Sequence, residues 1–161
     1  MNLKINNDGT IELNDARIIY RNFEGRRGPF NEEGKRSFSV IIPDEEIKEA
    51  LMENGWNVRV KAPRTPDEQP FMHLQVNVKF NGGPRNPNIF LVCNGRATKL
   101  NERTIECLDH IDYKSVSMIL APYDWERFGS SGRTAYLRSL EVIQDLDRIA
   151  AKYASEEYPT E

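Results

Sequence analysis

The sequence predicts a mainly β fold, a partly open five-stranded Greek-key barrel with one inserted helix and long loops. Apolar and polar residues alternate with a period of two over much of the chain, which is typical of strands with one buried face. Clusters of glycine, proline and asparagine separate these segments, and only one segment has a clear helical pattern. A β-sandwich is the competing architecture, because the seven or eight expected strands fit either fold.

The first strands and the clear helix lie in the first third of the chain. Residues 10–13 and 16–23 form either a strand pair or one bent strand, and residues 37–42 form a short apolar strand. Asp44 then suits a helix N-cap, because two glutamates follow it in what would be the positive first turn. Gly55 marks the expected end of this helix.

Two alternating segments, residues 57–62 and 73–80, follow the helix and are separated by a proline-rich linker. We expect Arg59 and Lys61 to share the outer face of the first strand, and Lys79 to lie on the outer face of the second. Such a row of bases can follow a nucleic-acid backbone. An ordinary solvated strand face explains the same pattern and is the commoner case.

The last part of the chain predicts short strands at residues 89–92 and 96–100 and a helical turn at 104–110. A final strand pair, residues 116–125 and 134–143, is joined by a polar, glycine-rich loop. The alternation on both sides of this loop predicts a protruding hairpin.

The chain divides into a barrel domain, residues 1–143, and residues 144–161, which we expect to form a short helix and an acidic tail. The second segment has five acids and two bases, so it accounts for the formal net charge of −3, and the first has 20 of each. A neutral body can still bind an anion where its bases cluster. The chain has no apolar run long enough to span a bilayer and no signal-peptide pattern, so we expect a cytoplasmic protein.

The sequence contains none of the common phosphate-binding, nucleophile-elbow or paired-histidine motifs. Its two histidines are isolated, and Cys93, Cys107 and His110 are too few for a typical zinc site. We therefore expect a protein that is not an enzyme and that uses no metal and no cofactor.

Basic and aromatic residues are interleaved in two predicted loops, one before residue 37 and one between the final two strands. Basic side chains pair with phosphates and aromatic rings stack on splayed bases, so this combination favours a single-stranded nucleic-acid site. We expect Tyr20 and Phe38, which lie in strands, to be core residues. The candidate phosphate ligands are Arg26, Arg27, Lys35, Arg36, Arg59, Lys61, Lys79, Arg127 and Arg133, and the candidate stacking residues are Phe23, Phe30, Trp125 and Phe128.

Four short motifs occur in a particular order: NDARIIYRNF at 14–23, GKRSF at 34–38, GWNVR at 55–59 and PYDWE at 122–126. This order resembles that of phage- and prophage-encoded single-stranded DNA-binding proteins of OB-fold type, over about residues 11–143. The resemblance implies an OB-fold barrel, single-stranded DNA as the ligand and a role in phage replication or recombination.

The acidic tail is also similar to the flexible acidic ends with which single-stranded DNA-binding proteins commonly recruit replication partners. The tail is shorter and less charged than that pattern and has no terminal phenylalanine, so a frayed polar end explains it equally well.

The sequence as a whole favours a non-enzymatic protein that binds single-stranded DNA. A protein-interaction or virion-assembly module without nucleic-acid binding is the alternative, and a strand-annealing protein is a third hypothesis. An exposed strand at the barrel edge would also permit a homodimer.

Overall fold

The computed structural model describes residues 1–29, 31–68, 70–80 and 86–146. These residues form a ten-stranded sheet, one α-helix and a 3-10 helix. Helix α1 (Glu45–Glu53) lies between the fourth and fifth strands, and the 3-10 helix (Ile105–Asp109) lies between the eighth and ninth. The strands are β1 (Asn2–Ile5), β2 (Ile11–Ala16), β3 (Ile18–Asn22), β4 (Arg36–Ile41), β5 (Val58–Lys61), β6 (Phe71–Val78), β7 (Asn88–Cys93), β8 (Arg96–Leu100), β9 (Tyr113–Arg127) and β10 (Ser130–Gln144).

The barrel closes because β2 and β3 are one bent strand, interrupted only at Arg17. β2 pairs with β9, and β3 pairs with β4. β4 then pairs with β6, β6 with β10 and β10 with β9; the β6–β10 pairing is parallel and the others are antiparallel. This is an OB-like five-stranded Greek-key barrel, so the predicted fold class is confirmed.

Strands β5 and β10 share one edge of β6, while β4 occupies the other edge. β5 pairs with residues 71–74 of β6, and β10 pairs with Val76 and Asn77. The outer faces of these strands therefore meet in one surface. Further along β10, beyond its contact with β6, β7 pairs with residues 139–143. The β7–β8 hairpin therefore extends the sheet along the same edge of β10.

The barrel interior is aromatic and aliphatic. The rings of Phe23 and Phe38 stack with their centroids 5.3 Å apart, and both side chains are buried, so the prediction that Phe38 is a core residue is confirmed. Ile105 and Leu108 add two fully buried side chains from the 3-10 helix, which contacts β3.

The predicted helix is present and capped as expected. The Asp44 carboxylate accepts a hydrogen bond of 2.8 Å from the backbone N–H of Ile47. Gly55, at a φ of 89°, ends the helix in the left-handed conformation that glycine adopts readily. Leu51 is the fully buried residue of the helix. In the part of the chain that the structure describes, helices are too short or too polar to cross a membrane.

The final hairpin differs from its prediction. β9 and β10 extend to Arg127 and from Ser130, so the expected eight-residue loop is a two-residue turn formed by Phe128 and Gly129. Both turn residues have positive φ, 50° and 81°, which matches the twist of a tight hairpin. Arg127 and Arg133 therefore lie on strands, where the cross-strand pair of Arg133 with Asp124 extends the ladder beyond the barrel.

Replacing Phe23 by Ala should lower the free energy of unfolding by about 3–5 kcal/mol, because it opens a cavity beside Phe38. Urea unfolding followed by circular dichroism measures this change. Phe128→Ala is the matched control: the same deletion at a fully exposed side chain should change stability by less than about 0.5 kcal/mol. Equal effects at the two positions would contradict the burial of Phe23.

Candidate nucleic-acid interface

Three adjoining depressions cross the outer face of the barrel, and together we call them the groove. The first, of about 470 Å³, lies between β3, β4, β5 and β6. The second, of about 190 Å³, shares Arg59 and Gln75 with the first and extends to Trp125. The third, of about 790 Å³, continues along the same strand faces to Lys79 and Arg127. The groove therefore runs from β3 to the tip of the final hairpin.

The lining of the groove is positively charged. Six lysines and arginines line the three depressions and no aspartate or glutamate does so, within the described part of the chain. Two other depressions each include an acid: Glu102 in one that borders the third depression at Asn86 and Asn88, and Asp112 in one that shares no residue with the groove. The six bases are Arg59, Lys61, Lys79, Arg127, Arg133 and Arg138.

His73 lies in the first depression beside two of these bases. Its side chain is 6% exposed, and its Nδ1 lies 3.2 Å from the Ser39 hydroxyl oxygen. Burial lowers the pKa of His73, and the charges of Arg59 and Lys61 lower it further. Arg59 and Lys61 also line the first depression, and these two cations favour an anion there.

Trp125 forms part of the groove wall on β9. The indole is 37% exposed and covers Gly132, its cross-strand neighbour. A Cβ atom at position 132 would lie 2.6 Å from the indole, so only glycine lets the ring lie against the strand. The predicted stacking residue Phe128 is fully exposed at the hairpin turn. The rings of Tyr123 and Tyr136 meet edge to face in the third depression, 6.0 Å apart.

Tyr20 lies in the groove, and the prediction that it is a core residue is wrong. The β3–β4 register shifts between Ile19 and Asn22, and this bulge turns the Tyr20 side chain outward until it is 52% exposed. Its φ of 56° is in the left-handed region, which costs a bulky residue about 1–3 kcal/mol. The Lys61 ammonium lies 3.2 Å from the Tyr20 hydroxyl and 5.2 Å from the ring centroid.

The described residues of the first predicted loop, 24–29 and 31–35, do not line the groove. Asn22 accepts hydrogen bonds from the backbone N–H groups of Gly25 and Arg26, and this fixes the loop at its base. The loop balances its charges, with three bases and three acids. Arg26 lies 3.5 Å from Glu24 and Lys35 lies 3.3 Å from Glu32, while Arg27 is exposed.

Two predictions for this segment need correction. Phe23 is fully buried against Phe38, so it cannot stack on a base in this conformation. Arg36 donates a hydrogen bond of 2.9 Å to the Phe23 carbonyl and lies 3.5 Å from Glu102. It therefore holds the core segment to the neighbouring loop, which explains its low exposure. Phe30 lies outside the described residues.

Arg133 lines the second depression but is engaged in holding the hairpin. It pairs with Asp124, donates to the Asn54 carbonyl at the end of α1, and lies 5.3 Å from the Trp56 ring centroid. The hydrogen bond from Arg133 lowers the pKa of Asp124, so Asp124 carries a negative charge at neutral pH. These contacts join the final hairpin to the helix and leave Arg133 with little freedom to follow a ligand.

The sequence predictions for the sheet agree better with the observed geometry. Arg59, Lys61 and Lys79 are exposed and line the groove, as does Arg127. The alternation of the predicted strand 73–80 also places His73 on the same outer face as Lys79. The bulge at Tyr20 leaves no such signal in the sequence. Groove residues absent from the predicted site include Tyr20, His73, Tyr123, Tyr136 and Arg138.

The chain is similar in fold to three solved structures of one protein, the single-stranded DNA-binding protein of bacteriophage Enc34. The full-length form has a TM-score of 0.59 at 16% identity, with 96% of this chain and 94% of that chain covered. Its complex with ssDNA also gives 0.59 at 16% identity, covering 91% and 92%. A C-terminal truncation gives 0.58 at 16% identity, covering 89% and 90%.

Comparison with functionally curated proteins gives no significant match. A family model described as "Putative phage ssDNA-binding domain" matches residues 2–159, nearly the whole sequence. The family match agrees with the resemblance of the sequence motifs and with the OB-like barrel. The chain belongs to this family of phage single-stranded DNA-binding domains.

Proposed function

We propose that the groove is the surface on which this protein binds single-stranded DNA, and that it does so without enzymatic activity. The observation that carries the proposal is the lining of the groove, whose described residues include six bases, the exposed rings of Tyr20, Tyr123 and Trp125, and no acid. The groove crosses β4 and β6, the second and third strands of the barrel, and OB folds commonly bind oligonucleotides on that face.

In this proposal basic side chains bind phosphates and aromatic rings stack on bases. Arg59, Lys61, Lys79 and Arg127 are exposed and pair with successive phosphates, which gives affinity without sequence preference. Trp125 offers a ring to an unstacked base, and base–aromatic stacking contributes about 1–3 kcal/mol per base. Duplex DNA hides its base faces, so these rings favour a single strand. Arg133 acts indirectly by positioning the hairpin.

The predicted loop residues are candidate ligand contacts outside the groove. Arg26, Arg27 and Lys35 would contact phosphates beside the groove, because the loop between the first two barrel strands commonly contributes to OB-fold ligand binding. Phe128 at the hairpin tip and Phe30 are the corresponding stacking candidates.

The cellular setting is part of the same proposal. The protein would coat single strands in the cytoplasm of the bacterial host during phage replication or recombination. The acidic segment 144–161 would contact replication or recombination proteins; its residues from 147 onward lie outside the described part of the chain. An exposed edge strand such as β1 leaves room for a homodimer.

Replacing Arg59 and Lys61 together by Ala should weaken binding to oligo-dT and flatten its salt dependence. Loss of two phosphate contacts should reduce the slope of log K against log salt by about 1.4. Fluorescence anisotropy of labelled oligo-dT across a salt series measures both quantities.

Arg17→Ala/Lys114→Ala is the matched control, because it removes the same charge from exposed positions in a depression that shares no residue with the groove. Equal losses in the two double variants would mean that net charge, and not the groove, governs binding. If the wild-type protein fails to bind oligo-dT at low salt, the proposed function is wrong.

Binding of oligo-dT should quench the intrinsic fluorescence through Trp125. The chain has two tryptophans, and Trp56 is buried beneath Arg133 while Trp125 is exposed in the groove. Trp125→Phe should remove most of the quenching, and Trp56→Phe should retain it. Quenching that survives Trp125→Phe would place the DNA away from this part of the groove.

Gly132→Ala should weaken oligo-dT binding by about tenfold, equivalent to about 1.4 kcal/mol. The added methyl group displaces the Trp125 indole from the strand without removing it. Ser131→Ala, one position away and on the opposite strand face, is the control and should bind like the wild type. Unchanged affinity of Gly132→Ala would show that the position of the indole over the strand does not matter for binding.

A further inference from the structure

Three aromatic side chains form a cluster at the β3 end of the groove. The rings of Phe71 and His73 stack, with centroids 5.4 Å apart and an angle of 29° between the ring planes. Tyr20 stands nearly perpendicular to both, 6.4 Å from Phe71 and 5.8 Å from His73. The cluster thus has a supporting pair and one projecting ring.

The backbone at Tyr20 is strained in order to project this ring. A left-handed φ suits glycine or asparagine better than a bulky residue, and the β-bulge turns the ring out of the core. Because half of the side chain stays exposed, burial offsets little of this cost. Strained residues of this kind occur preferentially at ligand sites.

The charges beside Tyr20 suit a nucleotide. Lys61 lies 3.2 Å from the Tyr20 hydroxyl, and Arg59 is the next residue on the same face of β5. A base lying on the Tyr20 ring would therefore have two cations within reach of its phosphates. Acidic side chains are absent from the described lining of this depression.

We propose that the β3 end of the groove is a nucleotide subsite in which Tyr20 stacks on the base. Phe71 and His73 support the Tyr20 ring, and Lys61 pairs with a phosphate of the nucleotide. The inference rests on the proposed function, because the subsite is part of the same groove. A ring contact does not read the hydrogen-bonding edges of a base, so the subsite accepts a nucleotide of any sequence.

Tyr20→Asn should weaken binding to oligo-dT by about 5- to 160-fold, the loss expected for one stacked base. Asparagine tolerates the left-handed backbone, so the midpoint of urea unfolding should not fall. Tyr20→Leu keeps an apolar side chain at the same backbone and should lose affinity similarly. Tyr20→Phe keeps the ring and should bind within twofold of the wild type.

An oligonucleotide with abasic sites separates stacking from a structural role. It keeps the phosphates, so the Tyr20→Asn and Tyr20→Leu variants should bind it as well as the wild type does. If both variants lose equal affinity for the abasic and the intact oligo-dT, Tyr20 shapes the groove and the inference is wrong. Phe90→Asn changes an exposed aromatic side chain outside the groove and should leave binding unchanged.

Failure of this inference and failure of the proposed function give different results. If Lys79→Ala/Arg127→Ala weakens binding and flattens the salt slope while the folded Tyr20 variants bind normally, only the subsite is refuted. If the wild-type protein does not bind oligo-dT, both are refuted.

Discussion

The groove depends on the way in which β5 and β10 divide one edge of β6. β5 pairs with residues 71–74, and β10 takes over at Val76 through a short parallel contact. Because Val76 and its partner Ala135 are buried, the contact is anchored in the barrel core. It brings Arg59 and Trp125 to the same small depression, although 66 positions separate them in the sequence. A strand order without this parallel contact would leave the two on separate surfaces.

Much of the fold was predictable because it rests on local patterns. Alternation identified β6, the cap at Asp44 identified the helix, and the bases on β5 were assigned to the correct outer face. The four sequence motifs also indicated the family to which the chain belongs, whose model matches residues 2–159. The long final hairpin was underestimated because glycine, serine and charged residues suggested a loop, whereas cross-strand pairs such as Asp124 with Arg133 keep it in the ladder.

The site was less predictable, since its residues depend on tertiary contacts. Arg36 and Arg59 look alike in sequence, as bases near strand ends, yet one is held by the Phe23 carbonyl and the other faces the groove. Phe23 was expected to be available for stacking but is buried, and Tyr20 was expected to be in the core but is exposed. Both differences have a related cause. The bulge between Ile19 and Asn22 shifts the pattern of side-chain directions, and alternation cannot register such an inserted residue.

The charges of this protein are unevenly distributed, with bases concentrated in the groove and an excess of acids outside it. Among the described residues, the six groove bases apart, 13 bases stand against 21 acids, a formal charge of −8 outside the groove. A polyanion is repelled by that surface and attracted by the groove, so an acidic protein can still direct DNA to one face. The same repulsion disfavours binding elsewhere on the molecule. In the proposed binding mode, the acids outside the groove and the bases within it therefore both favour DNA at the groove.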